Sequence, residues 1–121
     1  MQKYRDLKVW QRSHQLALTI YRLTSKFPSH EQFGITSQLR RAAVSVPTNI
    51  AEGSKRRQGR DYARFLNIAE ASLAETEYLL ILSRDLGYLA TDSALSQLFA
   101  DIEEILKMLN ALYNRVIGTE P

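Results

Sequence analysis

Leu95, Leu98, Ile102, Ile105, Leu109, Leu112 and Val116 recur at intervals of three and four residues without a break. An α-helix turns once in 3.6 residues, so this spacing stacks all seven side chains on one face. A strand, with period two, would scatter them over both faces. A helix with one apolar stripe gains its stability by burying that stripe against other elements. The rest of the chain must therefore supply partners, and it does so with three more helical patterns.

The first runs from about Leu7 to Lys26, with Val9, Leu16, Ile20, Leu23 and Phe27 on one face, Trp10, Ala17 and Tyr21 beside them, and Pro28 as the stop. Ser29 and Gln32 fit a capping box for the second helix, expected from about Phe33 to Ser54. Pro47 falls inside that helix, removes one backbone donor and crowds the carbonyl of Ala43, which predicts a kink. Ala42, Ala43, Ser45 and Ala51 allow a close neighbour, and Gly53 suits a C-terminal stop. The third helix is expected over Arg60 to Leu86 and carries two heptad stripes. One is Tyr62, Leu66, Ala69, Leu73, Thr76, Leu80 and Ser83; the other is Phe65, Ile68, Ser72, Glu75, Leu79, Leu82 and Leu86, with Tyr78 and Ile81 nearby. Two stripes exceed what one partner helix needs, which predicts apolar surface left over for self-association. Gly87 ends this helix. Thr91 is expected as the N-cap of the fourth, with Asp92 in its first turn and Gly118 at its end; Glu120 and Pro121 read as a loose tail.

Five Gly and three Pro, placed between these segments except for Pro47, are too few for a turn-rich β fold. The expectation is an all-α chain: one domain over residues 1–121, an antiparallel up-down-up-down four-helix bundle with a Pro-kinked second helix. No window approaches a membrane span, and the N-terminus lacks the apolar run of a signal peptide. The absence of cysteine excludes disulfides and thiolate chemistry and fits a reducing cytoplasm.

Catalytic candidates are thin. Ser45, Asn49 and Glu52 share a face of the second helix, and Glu75 interrupts an apolar stripe of the third; either carboxylate, if buried, could titrate unusually. The competing reading is a hydrogen-bonded patch that fixes helix register. His14 and His30 read as a helix-surface and a turn residue. Glu70, Glu75, Glu77, Glu103 and Glu104 lack the Glu-x-x-His partners of carboxylate-bridged metal bundles, and no phosphate-binding glycine loop is present. No catalytic residue, metal site or cofactor is assigned.

The strong local signal is basic. Lys55, Arg56, Arg57, Arg60 and Arg64 crowd the turn between the second and third helices, offset by Asp61, and Arg40 and Arg41 lie earlier on the second helix. Arginine forks suit phosphate oxygens. Tyr62 and Phe65 are the only aromatics nearby, so backbone contact is favoured over base stacking. Residues 1–64 hold thirteen Lys/Arg against four acids, a net +9, whereas residues 65–121 hold three against nine, a net −6. Such a split suits a polyanion-facing half or attraction between copies.

The run Ser37-Gln38-Leu39-Arg40-Arg41-Ala42-Ala43-Val44-Ser45-Val46-Pro47-Thr48-Asn49-Ile50-Ala51-Glu52-Gly53 resembles the four-helix bundle protein family, also called the 23S rRNA intervening-sequence protein family. The likeness extends to Leu7-x-Val9-Trp10-Gln11, Phe27-Pro28, Phe33-Gly34, Phe65-Leu66-x-Ile68-Ala69, Ser72-Leu73-x-Glu75 and Leu86-Gly87-Tyr88. Ala71-Ser72 departs from the Gly-Ser pair of the family pattern, harmlessly in a helix. The resemblance implies a bacterial antiparallel bundle, a ring-like homopentamer, and no attached catalytic activity. It also implies kinship with the basic accessory protein of diversity-generating retroelements, which works with a reverse transcriptase and nucleic acid.

Residues and resemblance together lead to the expectation of a non-enzymatic oligomer. It would bind RNA or DNA phosphates through Arg40, Arg41, Lys55, Arg56, Arg57, Arg60 and Arg64. The alternative is an adaptor for a protein partner such as a polymerase, with the cations serving subunit or partner contacts.

Overall fold

The computed structural model describes residues 3–118; the Glu120–Pro121 tail lies outside them. A short 3-10 turn, Tyr4–Asp6, precedes helix α1, Lys8–Thr24, and a second 3-10 turn, Ser29–Glu31, precedes α2, Ile35–Gly53. Helices α3, Gly59–Asp85, and α4, Ser93–Ile117, complete a four-helix bundle. Each helix packs on two others, in the cycle α1, α2, α3, α4 and back to α1. Residue numbers rise along α2 as they fall along α3: Gly53 meets Tyr62 and Phe65, and Ser45 meets Ser72.

The core is assembled from the stripes. All seven apolar residues of α4 are buried, one for one with the pattern that opens the sequence. They meet Val9, Leu16 and Ile20 of α1, Leu39, Val46 and Ile50 of α2, and Leu66, Leu73 and Leu80 of α3. Each large side chain taken from water contributes about 1.5–3 kcal/mol. Polar residues within these stripes return their hydroxyls to their own helix. Ser13 donates to the Val9 carbonyl (2.7 Å), Thr24 to Ile20 (2.7 Å), Thr76 to Ser72 (2.8 Å) and Ser83 to Leu79 (2.7 Å). That local bond lets Ser13, Thr76 and Ser83 sit in a core without a partner from another helix; Thr24 has one in addition.

Several expectations at the helix ends are corrected. Ser29 and Gln32 form no capping box: they belong to the 3-10 turn and its end, Gly34 is the N-cap of α2, and Glu31 does the capping by accepting from the Ile35 amide at 3.3 Å. Asp92, not Thr91, caps α4, accepting from the Leu95 amide at 3.0 Å. A carboxylate is also the better acceptor at a positive helix end. Gly87 alone of the glycines has a positive φ, +83°, with paired bonds from Gly87 N–H to Arg84 and from Tyr88 N–H to Ser83, while Gly118 ends α4 as expected, as its C-cap at ordinary helical φ. Gly53 has no positive φ; it is buried, and a Cβ there would stand 2.9 Å from Phe65 Cβ and from Tyr62 Cδ1. It is glycine so that α3 can approach.

Helix α2 is assigned continuously through Pro47, which is itself buried. Just upstream, two carbonyls receive side-chain donors: Val44 from Thr48 Oγ1 at 2.7 Å, and Ser45 from Asn49 Nδ2 at 2.8 Å.

The surplus apolar face expected on α3 is largely consumed by the chain itself. Phe65, Ser72 and Leu79 of its second stripe are buried, because α3 packs on both α2 and α4. What stays open is scattered: Ile68, Tyr78 and Leu86, at 40%, 59% and 50% exposure. The continuous apolar surface lies instead between α1 and α2. It is a groove of about 480 Å³ bordered by Trp10, His14, Leu18, Tyr21, Val44 and Pro47.

Candidate nucleic-acid interface

The α2–α3 connection is five residues long, and its end of the bundle also receives the 3-10 turn Tyr4–Asp6 and the last turns of α4. A tight turn between two long helices holds consecutive side chains apart, so like charges there point outward rather than into the core. Lys55, Arg56, Arg57, Arg60 and Arg64 are all exposed at this pole.

Aromatic rings hold several of them. Lys55 Nζ lies 5.8 Å from the Tyr4 ring centre. The Arg56 and Arg64 guanidiniums lie 4.6 and 4.9 Å from the centre of Phe65, so one ring carries two cations. Arg64 also reaches Asp61 at 3.8 Å, one turn back, with both side chains more than half exposed. Arg60 bonds the Gln58 side-chain oxygen at 3.5 Å.

The structure adds a residue and separates two. Arg115, near the end of α4, joins Arg56 and Arg57 around a pocket of about 340 Å³ whose wall includes Leu7, Tyr62 and Val116. Burial pushes the Tyr62 phenol up from its ordinary value, and the charge of Arg115 opposes that shift. Arg115 lies 51 residues beyond Arg64 in sequence, on the acid-rich half, so only helix pairing reveals it.

Arg40 and Arg41 do not belong to this pole. Arg40 is half-buried against α1: its Nε donates to Thr24 Oγ1 at 2.8 Å, and its guanidinium lies 4.5 Å from the Tyr21 ring centre. It is a clasp between α1 and α2. Arg41 borders a shallow polar pocket with Gln38, Ser45, Ser72 and Glu75. The reason is distance along the helix: Arg40 precedes Lys55 by 15 residues, about 22 Å of α-helix rise over most of that stretch.

The catalytic candidates do not form a buried centre. Glu52 and Glu75 are exposed and lie apart, Glu52 on the α1–α2 groove and Glu75 beside Arg41. Ser45 is instead the hub of a cross-helix bond: Ser72 Oγ donates to Ser45 Oγ at 2.7 Å, and Asn49 Nδ2 reaches the same oxygen at 2.9 Å. This arrangement fixes the register of α2 on α3. His14 stacks on Trp10 with ring centres 5.2 Å apart, and His30 faces the edge of Tyr88. Among the described residues, no group of three or more His, Asp or Glu side chains could hold a metal ion, and no helix is long and apolar enough to cross a membrane.

The model for the 23S rRNA-intervening sequence protein matches residues 5–111, nearly the whole bundle. The chain belongs to that family. A 1.70 Å crystal structure of a protein with unknown function, from the S23 ribosomal protein family of Bacteroides thetaiotaomicron VPI-5482, superposes with a TM-score of 0.79 at 27% identity. The match covers 88% of this chain and 95% of that one. No curated protein matches the chain. The family match ends at residue 111, so it leaves out Arg115, whereas the five cations of the α2–α3 turn fall inside it.

Proposed function

We propose that this protein is a non-enzymatic, oligomeric module that holds nucleic-acid phosphates on the pole formed by the α2–α3 turn and the end of α4. The observation that carries the reading is the gathering of Lys55, Arg56, Arg57, Arg60, Arg64 and Arg115 at one end of the bundle, with Asp61, in the first turn of α3, the one acid between Lys55 and Arg64. Arginines held on aromatic rings keep their forks directed outward with less rotamer freedom to lose on binding. Contacts of this type position a backbone and carry little sequence information. The description of the matched family, a 23S rRNA-intervening sequence protein, agrees with an RNA-linked setting.

Oligomer formation is part of the same proposal. The apolar α1–α2 groove, with Trp10, Leu18, Tyr21 and Val44 on its borders, is a surface on which copies can associate. Several basic poles on one particle would add avidity without any new contact. The same groove supports a second reading, an adaptor whose partner is a protein such as a polymerase.

The test is RNA and DNA binding as a function of salt. Affinity should fall by about an order of magnitude or more between low and moderate salt, since each neutralised phosphate releases counterions. Arg56, Arg57 and Arg60 replaced together by Ala should weaken binding on every sequence while light scattering reports the same particle. A flat salt response sinks the nucleic-acid reading. Nuclease-resistant capture of a single defined protein in its place establishes the adaptor. A 13.9 kDa particle at micromolar concentration removes the oligomer.

A further inference from the structure

The pocket between the α2–α3 turn and α4 differs from the rest of the basic pole. Here Arg56, Arg57 and Arg115 border one concavity of about 340 Å³. Among the described residues, no carboxylate lines it. Asp61 is engaged with Arg64 outside it, and Asp6 lies in the next groove, across Arg115. Arg57 and Arg115, from two separate chain segments, border this space together with Arg56, whose guanidinium also lies against Phe65, so an anion there would relieve their mutual repulsion. Gln58, the N-cap of α3, makes no side-chain capping bond, and Gln58 and Gly59 both border the same space. A helix start at the edge of this space favours an anion beside the arginines.

The second feature is the wall. Leu7, Leu112 and Arg115 also line a neighbouring groove of about 390 Å³ that contains Val9 and Met108. The two concavities adjoin, the second with Leu7, Val9, Met108 and Leu112 on its wall and Asp6 and Lys8 at its border, and each falls in the volume range of small-ligand sites. An anion attached to a flat apolar body matches this pair of spaces; a bare inorganic ion would use only the first.

We propose that this pocket takes the phosphomonoester group of a nucleotide, with the nucleoside lying along the Leu7–Leu112 groove. The proposal rests on the nucleic-acid reading above and names the part of the ligand that this site recognises. A phosphomonoester carries about two negative charges and three terminal oxygens near pH 7, against one charge for an internal diester. Three arginine forks match the former better. Tyr62 keeps its phenol protonated, since burial raises its pKa, and can donate where a phenolate would repel. Two sources present this chemistry: the 5′ end of a nucleic-acid chain and a free mononucleotide.

The experiment measures binding of a short RNA duplex with 5′-phosphate or 5′-hydroxyl ends, and competition by AMP, to the full chain and to three variants. The 5′-phosphorylated duplex should bind about tenfold tighter, the worth of one good charge-assisted contact set. Arg115→Ala and Arg115→Lys should both erase the preference, the second while keeping the charge and the exposed helix position. Arg64→Ala, outside the pocket, should weaken both duplexes and leave their ratio unchanged. AMP competing as well as the chain end assigns the site to free nucleotide; AMP competing poorly while the end preference holds assigns it to chain ends. Equal, salt-dependent affinity for the two duplexes with no AMP competition overturns the pocket and leaves the backbone reading standing. AMP binding lost in Arg115→Ala, with neither duplex bound at low salt, upholds the pocket and overturns the backbone reading.

Discussion

At the scale of single residues, small polar and glycine positions carry most of the information beyond burial. The Thr36 hydroxyl is buried, with no partner among the described residues, unlike Ser13, Thr24, Thr76 and Ser83. Thr36→Val keeps the shape and removes the unsatisfied group, so denaturation midpoints should rise by the equivalent of about 1 kcal/mol. A lower midpoint would mean that the hydroxyl has a partner in solution. Gly53→Ala should move the other way, by about 1–3 kcal/mol, because its methyl group meets Phe65 Cβ and the Tyr62 ring at 2.9 Å. The sequence offers Gly53 as a helix stop, and that reading misses its role. Glycine at a helix end and glycine under a crossing helix look identical until the second helix is placed. Arg40 illustrates a related point. As a residue type it matches the turn cations, but its side chain, over Tyr21 and bonded to Thr24, is part of a helix–helix contact, whereas Arg41 is exposed beside Glu75.

At the scale of elements, all four helices and the α4 stripe are legible from spacing alone, because periodicity records burial directly. The joints are not, because they depend on contacts between connectors far apart in sequence. Tyr88, in the α3–α4 connection, donates to Glu31 Oε2 at 2.8 Å, 57 residues away, while Glu31 Oε1 caps α2. One carboxylate thus joins two connections and a helix start. The Tyr88 hydroxyl, with the Ile35 amide, lowers the Glu31 pKa, and Glu31 raises that of Tyr88. For a depressed carboxylate the stabilisation is present above the ordinary value of about 4.3 and is lost as pH falls through the lowered folded value. For the raised phenol it is present below about 10 and is lost as pH climbs through the folded value. Tyr88→Phe should therefore be less stable than the wild type at neutral pH, with the gap closing at both pH extremes. A gap independent of pH would show that the ring's packing on Phe27, not the hydroxyl, holds the joint. Asp92→Ala, which removes the α4 cap, should cost about 1 kcal/mol in the same measurement.

At the scale of the whole molecule, helix pairing gathers cations from both halves of the sequence. The cations of residues 55–64 join Arg115 at one pole, while Arg84 pairs with Asp85 at 3.0 Å near the other. Arg40→Ala with Arg41→Ala should leave the salt dependence of nucleic-acid binding unchanged and lower the thermal midpoint through the lost Thr24 bond. The Arg56/Arg57/Arg60 triple alanine should flatten the salt slope and leave the midpoint within about 0.5 kcal/mol, as expected of exposed side chains. A reversed result would return the site to α2, where the sequence reading places Arg40 and Arg41, two of its seven cations.

Leu7 at the start of α1 and Val116 at the close of α4 border the same pocket, so the first and last helices open and shut within one residue cluster of each other. That proximity makes the chain a candidate for circular permutation, with a short peptide joining the old ends and new ones cut in the Ser25–Gly34 stretch. Purification handles and dyes would then hang from the opposite face, clear of the arginines.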